Sequence, residues 1–90
     1  DELFGYIAQD NIEAAVRFLD ALQDSFARLS EMPYIGALQQ FANPLLEGMR
    51  AWPVPGFEKH LVFYRLEPDE IQIIRVLHAS RDIPGLFDEL

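Results

Sequence analysis

Two apolar runs joined by a short polar turn dominate the last third of the chain. Residues 61–65 (LVFYR) and 71–77 (IQIIRVL) are rich in Val, Ile, Phe and Tyr, which are favoured in strands, and Glu67-Pro68-Asp69-Glu70 between them is typical of a turn. Both runs are apolar at odd and at even positions, although a sheet with one covered face needs apolar residues only at alternate positions. Therefore either a second layer covers the other face, or that face binds a partner.

The first third of the chain has helical periodicity. Apolar residues recur at helical spacing from Ile12 to Ser30, namely Ile12, Ala15, Val16, Leu19, Leu22, Phe26 and Leu29. Residues 1–8 predict a shorter helix, since Leu3, Phe4 and Ile7 share a face. Asp10-Asn11 separates the two segments and supplies a cap for the second. The pattern therefore predicts a helical hairpin.

Strand patterns follow the helices. Pro33 ends the second helix, and residues 33–48 are irregular. Strands are expected near 49–54, 57–66 and 71–78, and a short helical turn near 83–90. This order predicts one α+β domain over residues 1–90, with a helical hairpin packed on a small antiparallel sheet of three strands.

The composition excludes several classes of function. Without cysteine there is no disulfide, thiolate metal site or thiol nucleophile, and no metal-ligand spacing or glycine-rich phosphate loop is present. We therefore expect no metal and no cofactor. A net charge of −8 opposes nonspecific binding to nucleic acid. No apolar run approaches the roughly 20 residues that span a bilayer, so we expect no membrane association and a cytoplasmic location.

The basic residues are concentrated in the second half. Five of the seven lie there, namely Arg50, Lys59, Arg65, Arg75 and Arg81. Strand alternation predicts Arg65 and Arg75 on one face, where they would form an anion-binding patch. The alternative, which we favour from the pattern alone, is structural pairing with acids such as Glu47, Glu58 or Glu70.

A polar cluster ends the last predicted strand. His78 can act as an acid or base near neutral pH, and Arg81 can hold a phosphate. The favoured alternative is a strand-end turn in which Asp82 pairs with Arg81. Tyr64 is more typical of a core residue or a partner contact than of a catalytic phenol.

The chain resembles the ParE branch of the RelE/ParE toxin superfamily of bacterial type II toxin–antitoxin systems. The matching motifs are Tyr6-Ile7-Ala8 before Asp10-Asn11, Ala14-Ala15 with Arg17-Phe18, Pro33 with Gly36, Met49-Arg50, Val62-Phe63-Tyr64-Arg65, and Arg75-Val76-Leu77-His78 with Arg81-Asp82. The family fold is a helical hairpin on a small antiparallel sheet. Members begin with a strand, which is missing here, so we expect further residues before Asp1.

The resemblance implies a toxin that a cognate antitoxin neutralises in a hetero-oligomer. Such antitoxins typically carry a ribbon-helix-helix domain, so DNA contact would come from the partner and not from this chain. ParE-like members poison DNA gyrase, whereas RelE-like members cleave ribosome-bound mRNA with clustered basic residues and a Tyr or His near the C-terminus. Residues 83–90 are acidic and lack Tyr and His. We therefore expect inhibition of gyrase by protein–protein contact, without catalysis.

Two alternatives remain open. One is a RelE-like mRNA endonuclease that uses Arg65, His78 and Arg81, and the other is an inactive toxin fold that only binds its antitoxin. The expected target- or partner-binding residues are Arg50, Tyr64, Arg65, Arg75, His78 and Arg81.

Overall fold

The computed structural model of the chain describes residues 12–79 and shows an α+β fold. Its elements are α1 (Ile12–Glu31), β1 (Ala37–Leu38), a 3₁₀ helix (Pro44–Leu46), β2 (Arg50–Val54), β3 (Phe57–Leu66) and β4 (Ile71–His78). The four strands form one antiparallel sheet in the order β1-β2-β3-β4. The prediction of three strands was therefore wrong, because the two-residue β1 is too short to leave a periodic pattern. The predicted helix at 1–8 and helical turn at 83–90 lie outside the described residues.

Helix α1 packs on one face of the sheet, which we call the helix face. Phe18 and Leu29 of α1 form a buried cluster with Val54, Val62 and Tyr64 of the sheet. Three residues of the predicted apolar stripe instead face solvent in the described part of the chain, namely Ile12, Val16 and Leu19. In the described part of the chain, no helix combines the length and the apolarity needed to cross a membrane.

The opposite face of the sheet, which we call the far face, is partly covered by the segment 37–48. This segment adds β1 to the edge of β2 and then brings Leu46 over the sheet, where it packs with Met49, Ala51, Phe63 and Leu77. The side chain of Asn43 caps the 3₁₀ helix by accepting a hydrogen bond from the backbone N–H of Leu45 (3.0 Å). Segment 37–48 is therefore a second layer that buries apolar residues on the far face. This explains why the strands are apolar at both odd and even positions.

A β-bulge changes the facing of β4. Phe63 lies opposite Arg75, but the next residue, Tyr64, lies opposite Ile73, so Ile74 is an extra residue. Because one extra residue reverses the facing of everything beyond it, Ile73 joins the helix-face core while Arg75 stays on the far face. Unbroken alternation along β4 would place Ile71, Ile73 and Arg75 on one face, which the bulge prevents, whereas Arg65 and Arg75 share the far face as predicted.

Candidate interaction site

Tyr64 is fully buried and connects the sheet to the segment that follows α1. Its hydroxyl donates a hydrogen bond to the carbonyl oxygen of Pro33 (2.7 Å) and accepts one from the backbone N–H of Gly36 (2.9 Å). A phenol buried in this way has both hydrogen bonds satisfied inside the protein. Of its two predicted roles, core residue or partner contact, the structure places Tyr64 in the core.

Arg50 holds the same segment from the side of β2. Its Nη1 donates hydrogen bonds to the carbonyl oxygens of Gly36 (2.8 Å) and Tyr34 (3.4 Å). The guanidinium carbon lies 5.1 Å from the centroid of the Tyr34 ring, within the range of a cation–π contact. Arg50, which was expected to bind the target or a partner, therefore holds the backbone turn that follows α1.

Arg65 makes the third connection to this segment. From the far face of β3 it donates a hydrogen bond through Nη2 to the carbonyl oxygen of Leu45 (2.8 Å). Its Nε is buried and has no hydrogen-bond partner among the described residues. Arg50, Tyr64 and Arg65 thus all attach the segment 33–48 to the sheet, and of the three, Arg65 has a buried donor without a partner among the described residues.

The far face of the sheet carries a basic surface formed by Lys59, Arg65 and Arg75. All three occupy strand positions on this face, and among the described strands the one acidic residue, Glu58 of β3, alternates to the opposite face. Lys59 and Arg75 are exposed, and Arg65 is half-buried. Within residues 12–79 no ion pair joins Arg65 or Arg75 to the acids expected to neutralise them; the ion pair there links Arg17 and Glu13 (4.0 Å) on α1.

Two histidines meet at the other end of the β3–β4 hairpin. His60 lies directly opposite His78, and their rings are 5.0 Å apart at 88°. His60 is 9% exposed, and its ring also lies 5.0 Å from that of Phe18 on α1. Burial, and secondarily the nearby His78, hold the pKa of His60 below its ordinary value.

The sequence pattern did not identify the histidine pair, because the bulge creates it. The hairpin begins with Leu66 opposite Ile71, and with unbroken pairing from there His78 would lie opposite Lys59. The extra residue Ile74 moves His78 opposite His60 instead. A bulge in a strand of this kind leaves no clear signal in a single sequence.

Of the three residues of the possible nuclease set, Arg65 and His78 are described, and the fold does not bring these two together. Arg65 lies on the far face, whereas His78 contacts His60 on the helix face. The sheet separates the two side chains, because Arg65 and His60 are an odd number of positions apart on β3 and so point to opposite faces, and His78 lies opposite His60. Arg81, with Asp82, lies outside the described residues. In the described part of the chain, no three His, Asp or Glu side chains cluster as a metal site would require.

A helix packed on a four-stranded antiparallel sheet is consistent with the fold of ParE/RelE-like toxins. The model of the family described as "ParE toxin of type II toxin-antitoxin system, parDE" matches residues 1–83. The chain therefore belongs to the ParE toxin family and is the toxin of a type II toxin–antitoxin system, with an antitoxin as its partner. No curated protein matches the chain.

Proposed function

We propose that this toxin inhibits DNA gyrase by protein–protein contact, without catalysis, and that its cognate antitoxin neutralises it. Membership of the ParE family supports an antitoxin-controlled toxin. The antitoxin carries the DNA-binding function through a ribbon-helix-helix domain, and the two proteins form a cytoplasmic hetero-oligomer. The acidic balance of this chain, with a net charge of −8, suits that division of roles.

The separation of Arg65 and His78 by the sheet is the observation that favours contact over catalysis. General acid–base cleavage of RNA needs its groups within hydrogen-bond reach of one reacting phosphate. Arg65 is bonded to the backbone of Leu45 on one face, and His78 packs on His60 on the other. The described fold therefore disfavours a nuclease centre built from these two residues.

The basic surface of Lys59, Arg65 and Arg75 is the proposed contact with gyrase. Exposed cations beside partly buried apolar residues such as Leu61 and Ile74 combine charge steering with apolar contact. Arg75 is the best probe of this surface, because it is exposed and makes no ion pair with the other described residues.

A gyrase supercoiling and cleavage assay with the purified chain, freed from antitoxin, tests this proposal. We expect inhibition by the unchanged protein and much weaker inhibition by Arg75→Gln. Arg17→Gln is the matched control, because it removes the same charge from an exposed position on α1 (63% exposed side chain), away from the far face. Equal loss in both variants would reject the far face as the contact.

The same purified protein also distinguishes between the two alternatives, an mRNA endonuclease and an inactive fold that only binds its antitoxin. No effect on supercoiling, together with ribosome-dependent mRNA cleavage that Arg81→Ala abolishes, would replace the proposal by the RelE-like endonuclease. No effect in either assay, with no growth arrest when the chain is expressed without antitoxin, would identify an inactive fold that only binds its antitoxin.

A further inference from the structure

The His60–His78 pair has no part in the proposed gyrase contact, because it lies on the helix face of the sheet. His60 is the point at which α1 meets this end of the β3–β4 hairpin, since its ring contacts Phe18 of α1 on one side and His78 of β4 on the other. Phe18 in turn packs edge-on against Phe57, 5.2 Å away. The histidine therefore lies in an aromatic cluster that joins three elements.

This site accepts a neutral imidazole and disfavours a charged one. Nε2 of His60 is buried and has no hydrogen-bond partner among the described residues. Protonation places an N–H on both ring nitrogens, so the charged ring would bury a donor without an acceptor. Two protonated rings 5.0 Å apart would also repel each other.

Among residues 12–79, the groups packed around His60 offer little compensation for a positive charge on its ring. Helix α1 contributes Phe18, and β4 contributes the titratable His78, whose charge opposes that of His60. On β3 itself, the Glu58 carboxylate accepts a hydrogen bond from the backbone N–H of Gly56, and Lys59 points to the far face. The charged neighbour of Phe18 on α1, Arg17, pairs with Glu13.

We propose that the His60–His78 pair is a pH-sensitive contact that holds α1 on the sheet near neutral pH and weakens when the rings are protonated. The toxin would then be most firmly folded at neutral pH and would loosen at this end in mild acid. Because the pair lies apart from the basic surface, this inference does not depend on gyrase being the target.

The direction of the pH effect follows from the lowered pKa of His60. Because burial and His78 lower that pKa in the folded state, the unfolded chain binds more protons at intermediate pH. The stability that the neutral ring provides is present above the unfolded pKa of about 6.5 and is lost as pH falls through it towards the folded value.

Urea unfolding of the whole chain at about pH 7.5 and about pH 5 tests the proposal, with fluorescence of Trp52, the single tryptophan, as the signal. We expect the midpoint of the unchanged protein to shift to lower urea in acid. His60→Phe, which keeps a ring beside Phe18 but cannot ionise, should lose most of that shift, and His78→Gln should lose part of it. Equal shifts in all three proteins would overturn the proposal, since the acid effect would then arise elsewhere.

An NMR titration of the two imidazoles in the unchanged protein gives a readout that does not depend on a variant that folds. We expect the pKa of His60 in the unchanged protein to lie below its ordinary value, because burial disfavours the charged ring. A His60 pKa at or above the ordinary value would overturn the proposal. Expression of the His60→Phe protein is not needed for this result.

Discussion

The hydroxyl oxygen of Tyr64 lies 2.9 Å from the backbone nitrogen of Gly36, and a Cβ atom at Gly36 would lie 2.5 Å from the same oxygen. No side chain therefore fits at position 36 while Tyr64 keeps its place. The contact joins the last part of β3 to a turn 28 residues earlier in the chain. It explains why a small residue follows the helix at this point, a feature that the sequence shows only as a break in the helical pattern.

We predict that Gly36→Ala lowers the free energy of unfolding by roughly 1–3 kcal/mol, because the added methyl group forces Tyr64 or the turn to move. Tyr64→Phe should cost a similar roughly 1–3 kcal/mol, since the buried N–H of Gly36 and the carbonyl of Pro33 lose their partner. Urea unfolding of both single variants and of the double variant measures these costs. The double variant should be less destabilised than the sum of the two, because Tyr64→Phe removes the closest clash and also the hydrogen bonds that hold the ring carbons Cε1 and Cζ only 2.6 and 2.9 Å from the added methyl group. Strict additivity would show that the two residues do not contact each other.

Arg65 and Arg75 should differ in their effect on stability, although both are arginines on the far face. Arg65→Gln removes the donor to the Leu45 carbonyl, and we expect it to lower the free energy of unfolding by about 0.5–1.5 kcal/mol. Arg75→Gln, at an exposed position without an ion pair to the described residues, should stay within about 0.5 kcal/mol of the unchanged protein. The measurement is urea unfolding followed by Trp52 fluorescence. A larger cost for Arg75 than for Arg65 would contradict the structural role assigned to Arg65.

We predict that position 56 requires glycine because of its backbone conformation, and not because a side chain would clash with its surroundings. It has a φ of 82° in the turn between β2 and β3, and no atom lies within 4 Å of a Cβ placed there. Gly56→Ala should therefore cost roughly 1–2 kcal/mol, which is the penalty for an L-residue in the left-handed region. Gly56→Asn is the matched variant, because Asn tolerates this region better, and it should cost less. Thermal unfolding of the two variants compares them, and an Asn variant as unstable as the Ala variant would point to a steric cause.

The element types and much of the fold were predictable from local pattern. The helical stripe predicted α1 to within one residue of its observed end, and the apolar runs rich in β-branched and aromatic residues, bounded by turn residues, predicted β2, β3 and β4. Side-chain periodicity is a property of neighbouring residues, so it is written locally in the chain. The family resemblance, which rests on the same segments, was also confirmed.

The roles of individual polar residues were decided by contacts between distant parts of the chain. Tyr64 and Pro33 are 31 positions apart, and Arg50 and Gly36 are 14 apart, so nothing near either residue shows that they are bonded. The bulge at Ile74 likewise cannot be recognised from the neighbouring residues. It reverses the facing of Ile73 and places His78 opposite His60. Local periodicity specifies which segments become helix or strand, but register and long-range hydrogen bonds arise only when the packed layers select one alignment of the strands.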